Sequence, residues 1–232
     1  ASIALVARSE ENMREVAAGI AAGGGRAEAL PADLTESGRP ASMVAEAAAR
    51  LGGLDIVVNV AGVSRRSDPI DISNDDIDLA IDLKLRASVE ITKAAVPLLR
   101  ERGGGSIIFI SGLSHVHTHV FHGSGCIPNA ALAAYKHQLA KRVAPDGIRV
   151  NMLNPGATAT PRMARQTKRA SELTGKTIDE VKAKRLAAIP MGRFVSADDI
   201  ATTVLYLVSD LAGSVTGNSI NVDGGECQAV RV

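Results

Sequence analysis

Short apolar runs of β-type residues alternate with helix-type segments along the chain, and this alternation restricts the fold more than any other feature. The apolar runs cover residues 2–7, 27–30, 54–60, 106–111, 148–153 and 219–222. The helix-type segments cover residues 10–22, 38–51, 74–100, 130–143 and 197–209. Continuous apolar strands separated by helices are typical of a parallel sheet buried on both faces. The sequence therefore predicts a doubly wound α/β fold with three α/β/α layers, in a single domain over residues 1–232.

One long segment does not follow this alternation. Residues 157–191 are polar and mixed in charge, and they are numerous enough to contain helices of their own. Long irregular segments inside compact domains are often functional, and lids over active sites are a common case. We therefore expect residues 157–191 to form a substrate lid within the domain.

Composition excludes several classes of function. Lys plus Arg number 26 and Asp plus Glu number 25, so a net charge of +1 gives no electrostatic case for nucleic-acid binding. Only Cys126 and Cys227 are present, which favours a reducing compartment, the cytoplasm, over a disulfide scaffold. The longest apolar stretch, residues 54–63, contains Asp55 and Asn59 and is too short to span a bilayer. The expected partner is a small-molecule substrate, without nucleic acid or membrane.

Short motifs occur at several of the predicted strand ends. They are Asp-Leu-Thr at 33–35, Asn-Val-Ala-Gly at 59–62, Gly-Ile-Arg-Val-Asn at 147–151, Asn-Pro-Gly at 154–156, and Gly-Asn-Ser-Ile-Asn-Val-Asp-Gly-Gly at 217–225. In order and spacing they resemble the short-chain dehydrogenase/reductase family, in particular its 3-oxoacyl-carrier-protein-reductase-like members. The resemblance covers almost the whole chain. It implies a Rossmann-type sheet, a nicotinamide cofactor at the carboxyl ends of the strands, and a homodimer or homotetramer.

The resemblance also implies which residues would line the cofactor. Asp33 and Leu34 would flank the adenine, and Asn59, Ala61 and Gly62 would line the adenine-ribose side. Four further residues would approach the nicotinamide: Pro155, Gly156, Thr158 and Thr160. The alternative for each Gly and Asn is ordinary turn chemistry at a strand end.

Arg8 gives a clue to the type of cofactor. It follows the first apolar run directly. A carboxylate at this place would bind a ribose 2′-hydroxyl, whereas an arginine can pair with a 2′-phosphate. Arg8 therefore suggests NADP, and the alternative is a solvated arginine at the start of a helix.

The first departure from the family concerns the beginning of the chain. The family starts with a strand, a TGxxxGxG loop that holds the pyrophosphate, and a helix. No such loop occurs at the start of this sequence. In the family's strand order the first strand lies between the strands that correspond to residues 2–7 and 54–60. We therefore expect the sheet to be split or paired differently here, and about thirty further residues to precede Ala1 in the natural protein.

The second departure concerns the catalytic residues. The family uses an Asn, a Ser and a Tyr-x-x-x-Lys set, in which Tyr transfers the proton. An alignment without gaps places Lys84 at the Asn position, Gly112 at the Ser position, Gly125 at the Tyr position and Asn129 at the Lys position. Glycine has no side-chain proton to give. Tyr135 is too far along its helix to replace a tyrosine at 125, at about 15 Å.

Two interpretations of these changes remain open. Lys84 and Asn129 look like an exchange of the family's Asn and Lys, which are neighbours in that active site, and the alternative is drift. Either way, the family's usual activity is expected to be weak or absent.

The third departure is a histidine-rich segment. His115, His117 and His119 alternate, so in an extended segment all three would share one face. Three imidazoles on one face can bind Zn²⁺ and leave a position for an activated water. The alternative is a polar loop that happens to be rich in histidine. Ser124 and Cys126 are possible nucleophiles nearby, but no base can be assigned to them.

Three functions follow from these observations. The first is an NADP-linked oxidoreductase by descent, acting on a carbonyl or a secondary alcohol. The second is a relative that binds a nucleotide or a partner without catalysis. The third is a metal-dependent hydrolase that uses His115, His117 and His119.

Overall fold

The computed structural model describes residues 1–65, 67–118 and 120–227. These residues contain six strands: β1 (Ser2–Ala7), β2 (Arg26–Pro31), β3 (Ile56–Asn59), β4 (Gly105–Ile110), β5 (Ile148–Pro155) and β6 (Ser219–Val222). Eight α-helices connect or follow them: α1 (Glu10–Ala22), α2 (Arg39–Leu51), α3 (Asn74–Ala80), α4 (Ala87–Glu101), α5 (Cys126–Val143), α6 (Pro161–Thr174), α7 (Ile178–Leu186) and α8 (Ala197–Val208). All strand pairs are parallel. The predicted Rossmann-type α/β architecture is confirmed.

The helix limits follow from local chemistry. The side chain of Ser9 accepts a hydrogen bond from the backbone N–H of Asn12 and caps the start of α1, and Gly23 ends that helix. Gly52, with φ of 81°, ends α2 in the left-handed conformation. Ser196 and Asp199 form a reciprocal capping box at the start of α8. These signals are readable in the sequence, and the predicted limits of α1 agree with the structure.

The sheet is divided into two parts, as predicted. β1 pairs with β2 in one sheet, and the other sheet has the strand order β3-β4-β5-β6. Within the described residues, β1 and β3 therefore each have one strand neighbour and one unpaired edge. Ile3, Ile56 and Val58 on these two strands are each about two-fifths exposed (40%, 41% and 40%).

One helix layer nevertheless joins the two sheets. Met43 and Val44 of α2 belong to the same buried cluster as Ala95 and Leu99 of α4 and Phe109 of β4. A second, smaller cluster on the other face packs α8 against the larger sheet. The parts on either side of the gap thus share a single hydrophobic core.

The predicted helical region 74–100 is interrupted at its centre. Residues Ile81–Arg86 form a π-helical segment between α3 and α4. π-Helical turns inside α-helices are rare and occur often at functional sites. The segment contains Lys84, which the resemblance places at a catalytic position.

The segment 157–191 contains two helices of its own, α6 and α7. Thr160 caps α6 by accepting a hydrogen bond from the backbone N–H of Met163. Thr177 and Glu180 form a capping box at the start of α7. Among the described residues, no helix has both the length and the apolar character needed to cross a membrane.

Candidate active site

The candidate site lies where β3, β4 and β5 end. Asn59 is the last residue of β3 and pairs in register with Phe109 of β4, and Ile110 of β4 pairs with Leu153 of β5. Because the strands are parallel, their carboxyl ends meet at one edge of the sheet. This edge is where open α/β sheets bind ligands.

Asn59 is buried without a hydrogen-bond partner. Only 7% of the residue's surface is exposed. Within the described part of the chain, neither Nδ2 nor Oδ1 of its side chain has a partner. A buried amide left unpaired costs about 1–3 kcal/mol, so such groups call for an explanation. A bound polar ligand at the end of β3 would provide the missing partners.

Asp33 and Arg8 lie at neighbouring strand ends, because Ala7 of β1 pairs with Pro31 of β2. Asp33 accepts hydrogen bonds from the hydroxyl of Thr35, at 2.7 Å, and from its backbone N–H, at 2.9 Å. These two bonds lower the pKa of Asp33 below its usual value, and the positive charge of Arg8 adds a smaller effect in the same direction. Arg8 is exposed, whereas Leu34 is buried in the core.

The residues after β5 are engaged within the protein. The hydroxyl of Thr158 donates to the carbonyl of Gly156 at 2.9 Å. A Cβ atom at Gly156 would lie 2.7 Å from a carboxylate oxygen of Glu226, so no larger residue fits there. The same oxygen of Glu226 accepts a hydrogen bond from the backbone N–H of Ala157 at 3.0 Å. This loop is therefore held in place by its own contacts.

Lys84 and Asn129 reach the same short stretch after β4. Nζ of Lys84 donates to the backbone carbonyl of Ser111 at 3.4 Å. Nδ2 of Asn129 donates to the hydroxyl of Ser114 at 2.7 Å. The structure thus brings together the two residues for which the sequence suggested an exchange of positions.

Glycine at 125 leaves no room for a larger residue. A Cβ atom added at Gly125 would lie 2.3 Å from Oγ of Ser64 and 2.6 Å from its Cβ. At Gly112 the nearest such contact is Nδ2 of Asn129, at 3.4 Å, which is an ordinary separation. The position that the gap-free alignment assigns to the family's tyrosine is therefore closed by the loop that follows β3.

Tyr135 belongs to the core and not to the site. Its ring meets that of Phe109 edge to face, with ring centroids 6.3 Å apart. Burial raises the pKa of Tyr135. The conclusion that Tyr135 does not replace a tyrosine at 125 agrees with this packing.

The expectation of an extended histidine segment is wrong. Residues Leu113–His115 form a 3₁₀ turn, in which Nδ1 of His115 lies 2.9 Å from the carbonyl of Gly112. His117 is exposed, and His119 lies outside the described residues. Over the described ranges, no group of three or more His, Cys, Asp or Glu side chains could hold a metal ion. Because residues Leu113–His115 turn instead of extending, the described residues give the zinc hypothesis no support.

The two candidate nucleophiles have structural contacts. Ser124 is fully buried, and its hydroxyl accepts a hydrogen bond from the backbone N–H of Arg65 at 3.3 Å. The thiol of Cys126 donates to the carbonyl of Gly123 at 3.4 Å. Neither contact supplies a base.

Sequence reasoning missed two contributors to the site. Ser64 closes the space at Gly125, and Arg162 of α6 donates to the backbone carbonyl of Ser64 at 3.3 Å. Neither residue belongs to a motif, and residues 98 positions apart carry no joint signal in a single sequence. A cleft of about 390 Å³ between the end of β6 and the segment before α8 contains none of the predicted cofactor residues; its lining includes Met191, Arg193 and Asn221.

Comparison with known proteins gives a consistent result. A family profile described as enoyl-(acyl carrier protein) reductase matches residues 1–226. The chain is 30% identical over 228 residues to 2-(S)-hydroxypropyl-CoM dehydrogenase 3 of Xanthobacter autotrophicus, covering 97% of this chain and 86% of that protein. It is 27% identical to the short-chain reductase protein NovJ of Streptomyces niveus, covering 97% and 84%. The structure of L-sorbose reductase from Gluconobacter frateurii, complexed with NADPH and L-sorbose, matches with a TM-score of 0.93 at 27% identity, covering 99% of this chain and 88% of that one.

Proposed function

Because this chain belongs to the short-chain dehydrogenase/reductase family of oxidoreductases, we propose that it binds NADP at the carboxyl ends of its strands and reduces carbonyl compounds only weakly or not at all. A nicotinamide cofactor supplies hydride transfer when it is bound. The substrate class inherited from the family is a small carbonyl compound or secondary alcohol. The proposal separates nucleotide binding, which the site supports, from the proton transfer that must accompany reduction.

The described residues fit the adenosine half of the nucleotide. The unpaired amide of Asn59 at the end of β3 offers both a donor and an acceptor. Asp33 and Leu34 would flank the adenine, and Ala61 and Gly62 would line the ribose with Asn59. The exposed guanidinium of Arg8 is free to meet a 2′-phosphate, which favours NADP over NAD.

The nicotinamide half would meet the loop after β5. Pro155, Gly156, Thr158 and Thr160 are the residues that the family places there. Thr160 already caps α6, and the hydroxyl of Thr158 is bonded to Gly156. Their role toward a nicotinamide would be to shape a fixed wall, with the helices of residues 157–191 as the lid above it.

The observation that carries the proposal of weak reduction is the contact between Gly125 and Ser64. Reduction of a carbonyl requires a proton donor beside the developing alkoxide, and general acids contribute about 10²–10⁴-fold to such reactions. Gly125 has no proton to donate, and Ser64 occupies the space that a side chain would need. The other family positions, Lys84, Gly112 and Asn129, do not restore a phenol there.

The binding part of the proposal is tested with Arg8→Glu, and Arg14→Glu serves as the matched control. Arg14 is an exposed arginine on α1 that pairs with Glu10. We expect R8E to weaken NADPH binding at least about tenfold by calorimetry, because a charged hydrogen bond to phosphate is replaced by repulsion. R14E should change the affinity for NADPH less than twofold, and neither variant should change the affinity for NADH. Equal effects of the two variants on NADPH would contradict the assignment of Arg8.

The catalytic part is tested with the unmodified protein. With NADPH and a panel of ketones and aldehydes, we expect oxidation of NADPH to be at least about a hundredfold slower than in a relative that has the tyrosine. The measurement is the loss of NADPH absorbance under saturating nucleotide. A rate equal to that relative's would show that another group donates the proton.

The assembly and location of the protein are part of the same proposal. The family commonly associates through its two long helical regions, which correspond here to α3–α4 and α5. We propose a homodimer or homotetramer in the cytoplasm, where Cys126 and Cys227, both free in the structure, stay reduced. Sedimentation analysis tests the assembly, and a monomer at all concentrations would contradict it.

A further inference from the structure

Lys84 lies where the ends of β3 and β4 meet. Its side chain runs along the backbone of Gly62, so that a Cβ atom at Gly62 would lie 3.2 Å from both Cδ and Nζ of the lysine. Nζ points to the backbone carbonyl of Ser111, 3.4 Å away. The residue is half-buried and keeps some contact with solvent. The π-helical segment Ile81–Arg86 places the amine in this position.

No carboxylate pairs with this amine in the described part of the chain. Asp82, the acidic residue of the same π-helical segment, forms its ion pair with Arg86. The charge that acts on Lys84 is the guanidinium of Arg162, which has the same sign. Burial and, secondly, Arg162 lower the pKa of Lys84 to about 8. An ordinary lysine has a pKa near 10.5, so Lys84 has far more free amine at neutral pH.

Two unpartnered polar atoms belong to residues at or in contact with the short stretch after β4. Oγ of Ser111 and Oδ1 of Asn129 are buried and have no hydrogen-bond partner in the described residues. Asn129 is held in place through its other side-chain atom, Nδ2, by the hydroxyl of Ser114. An open acceptor and an open hydroxyl on residues around this stretch, to which the amine also reaches, are suited to a ligand that carries a polar oxygen.

We propose that Lys84 is a nucleophilic lysine that condenses with the carbonyl carbon of an aldehyde or ketone. The lone pair of Nζ attacks the carbonyl carbon and forms the C–N bond, while the carbonyl π electrons move to oxygen. Through water, one proton passes from the now cationic nitrogen to this oxygen and gives a carbinolamine. The carbinolamine then loses its hydroxyl, together with the remaining N–H proton, as one molecule of water and leaves an imine. No oxidant or reductant is consumed, and the open acceptor Oδ1 of Asn129 suits the carbinolamine hydroxyl.

This activity goes beyond nucleotide binding and does not depend on it. Nucleophilic lysines are activated by removal from water or by a neighbouring cation. Both apply to Lys84, which is partly buried and lies near the guanidinium of Arg162. A site that has lost the proton donor for reduction would thus retain an affinity for carbonyl compounds through a different bond.

The test is reductive trapping with propanal and sodium cyanoborohydride at pH 7, followed by peptide mapping. Lys93 on α4 is the internal control, since it is exposed and nine residues further along the chain. We expect Lys84 to gain a propyl group at least about tenfold faster than Lys93, because about one tenth of its amine is unprotonated at pH 7 against less than a thousandth for an ordinary lysine.

Two variants complete the experiment. Lys84→Gln should abolish the fast label and leave slow labelling elsewhere, whereas Lys93→Gln should retain it. Equal labelling of Lys84 and Lys93 in the unmodified protein at pH 7 would overturn the proposal, and this comparison does not require that any variant folds. A fast label that persists in a folded K84Q variant would overturn it as well.

Discussion

The two sheets of this protein differ in how completely their strands are covered. In the larger sheet, β5 has a strand on each side and helices on both faces, and most of its residues are buried. In the smaller sheet, β1 has one neighbour, and none of its residues is fully buried. Both sheets share the helix layer of α2 and α4. The comparison shows that one continuous core can join two sheets while most of the burial is concentrated in one of them.

The largest expected difference between the sheets is in the cost of truncating a leucine. Leu153 of β5 is fully buried, and Leu5 of β1 is partly exposed. Leu153→Ala should lower the free energy of unfolding by about 2–5 kcal/mol, because it leaves a cavity that the surroundings cannot fill. Leu5→Ala should cost less than about 2 kcal/mol, since less apolar surface is lost. Urea unfolding measures the loss in free energy of unfolding for both variants. Equal losses would contradict the difference in burial between the two sheets.

A second difference should appear in backbone dynamics. Amides of β4 and β5 lie between paired strands, whereas β1 and β3 each have an unpaired edge in the described structure. Local opening needs less free energy where fewer contacts are broken. The slowest amides of β4 and β5 should therefore exchange with solvent at least about tenfold more slowly than those of β1 and β3. Hydrogen exchange followed by mass spectrometry tests this, and uniform protection would argue that the gap is closed in solution.

The smallest expected effect on the free energy of unfolding concerns two carboxylates. Asp33 follows β2 of the smaller sheet, and Asp199 lies in α8, which packs against the larger sheet. Hydrogen bonds from Thr35 lower the pKa of Asp33, and those from Arg193 and Ser196 lower the pKa of Asp199 much further. A depressed pKa contributes stability above the unfolded value of about 3.8, and that contribution is lost as the pH falls through the folded value. Asp199→Asn should therefore destabilise more than Asp33→Asn at pH 7.

The pH dependence separates these two variants from a general loss of structure. The loss of stability in each variant should shrink as the pH falls from 4 toward 2. The loss in Asp33→Asn should vanish first, because the pKa of Asp33 is less depressed than that of Asp199. Thermal melting at several pH values measures the effect. A difference that does not change with pH would assign the effect to packing instead of charge.

Much of the fold could be predicted because its signals are local. The helix-type segment 10–22 and the apolar runs gave limits for α1 and for most strands close to those observed. The division of the sheet was also expected, from the family's strand order and the absence of its first strand at the start of this sequence. These features depend on residues that are neighbours in the chain or on motifs with a fixed order.

The site was less predictable because its geometry depends on distant contacts. The contact of Gly125 with Ser64 joins two loops, and nothing near Gly125 in the sequence indicates it. The π-helical segment around Lys84 packs against the distant helix α5, and residues 81–86 contain no Pro or Gly that would signal it. The alternating histidines suggested an extended strand, but the chain turns after Gly112 instead. Spacing alone could not show this.

The gap between β1 and β3 has a consequence for handling a polypeptide that consists of residues 1–232 alone. Unpaired strand edges present rows of backbone donors and acceptors, and apolar side chains such as Ile3, Ile56 and Val58 make them templates for strands of other molecules. Natural sheets protect such edges with charge, and a net charge of +1 gives this chain little colloidal repulsion. We expect its tendency to aggregate to rise steeply with concentration, as light scattering would detect. A lysine in place of Val58 on β3 should then do more for solubility than the same change on a covered strand.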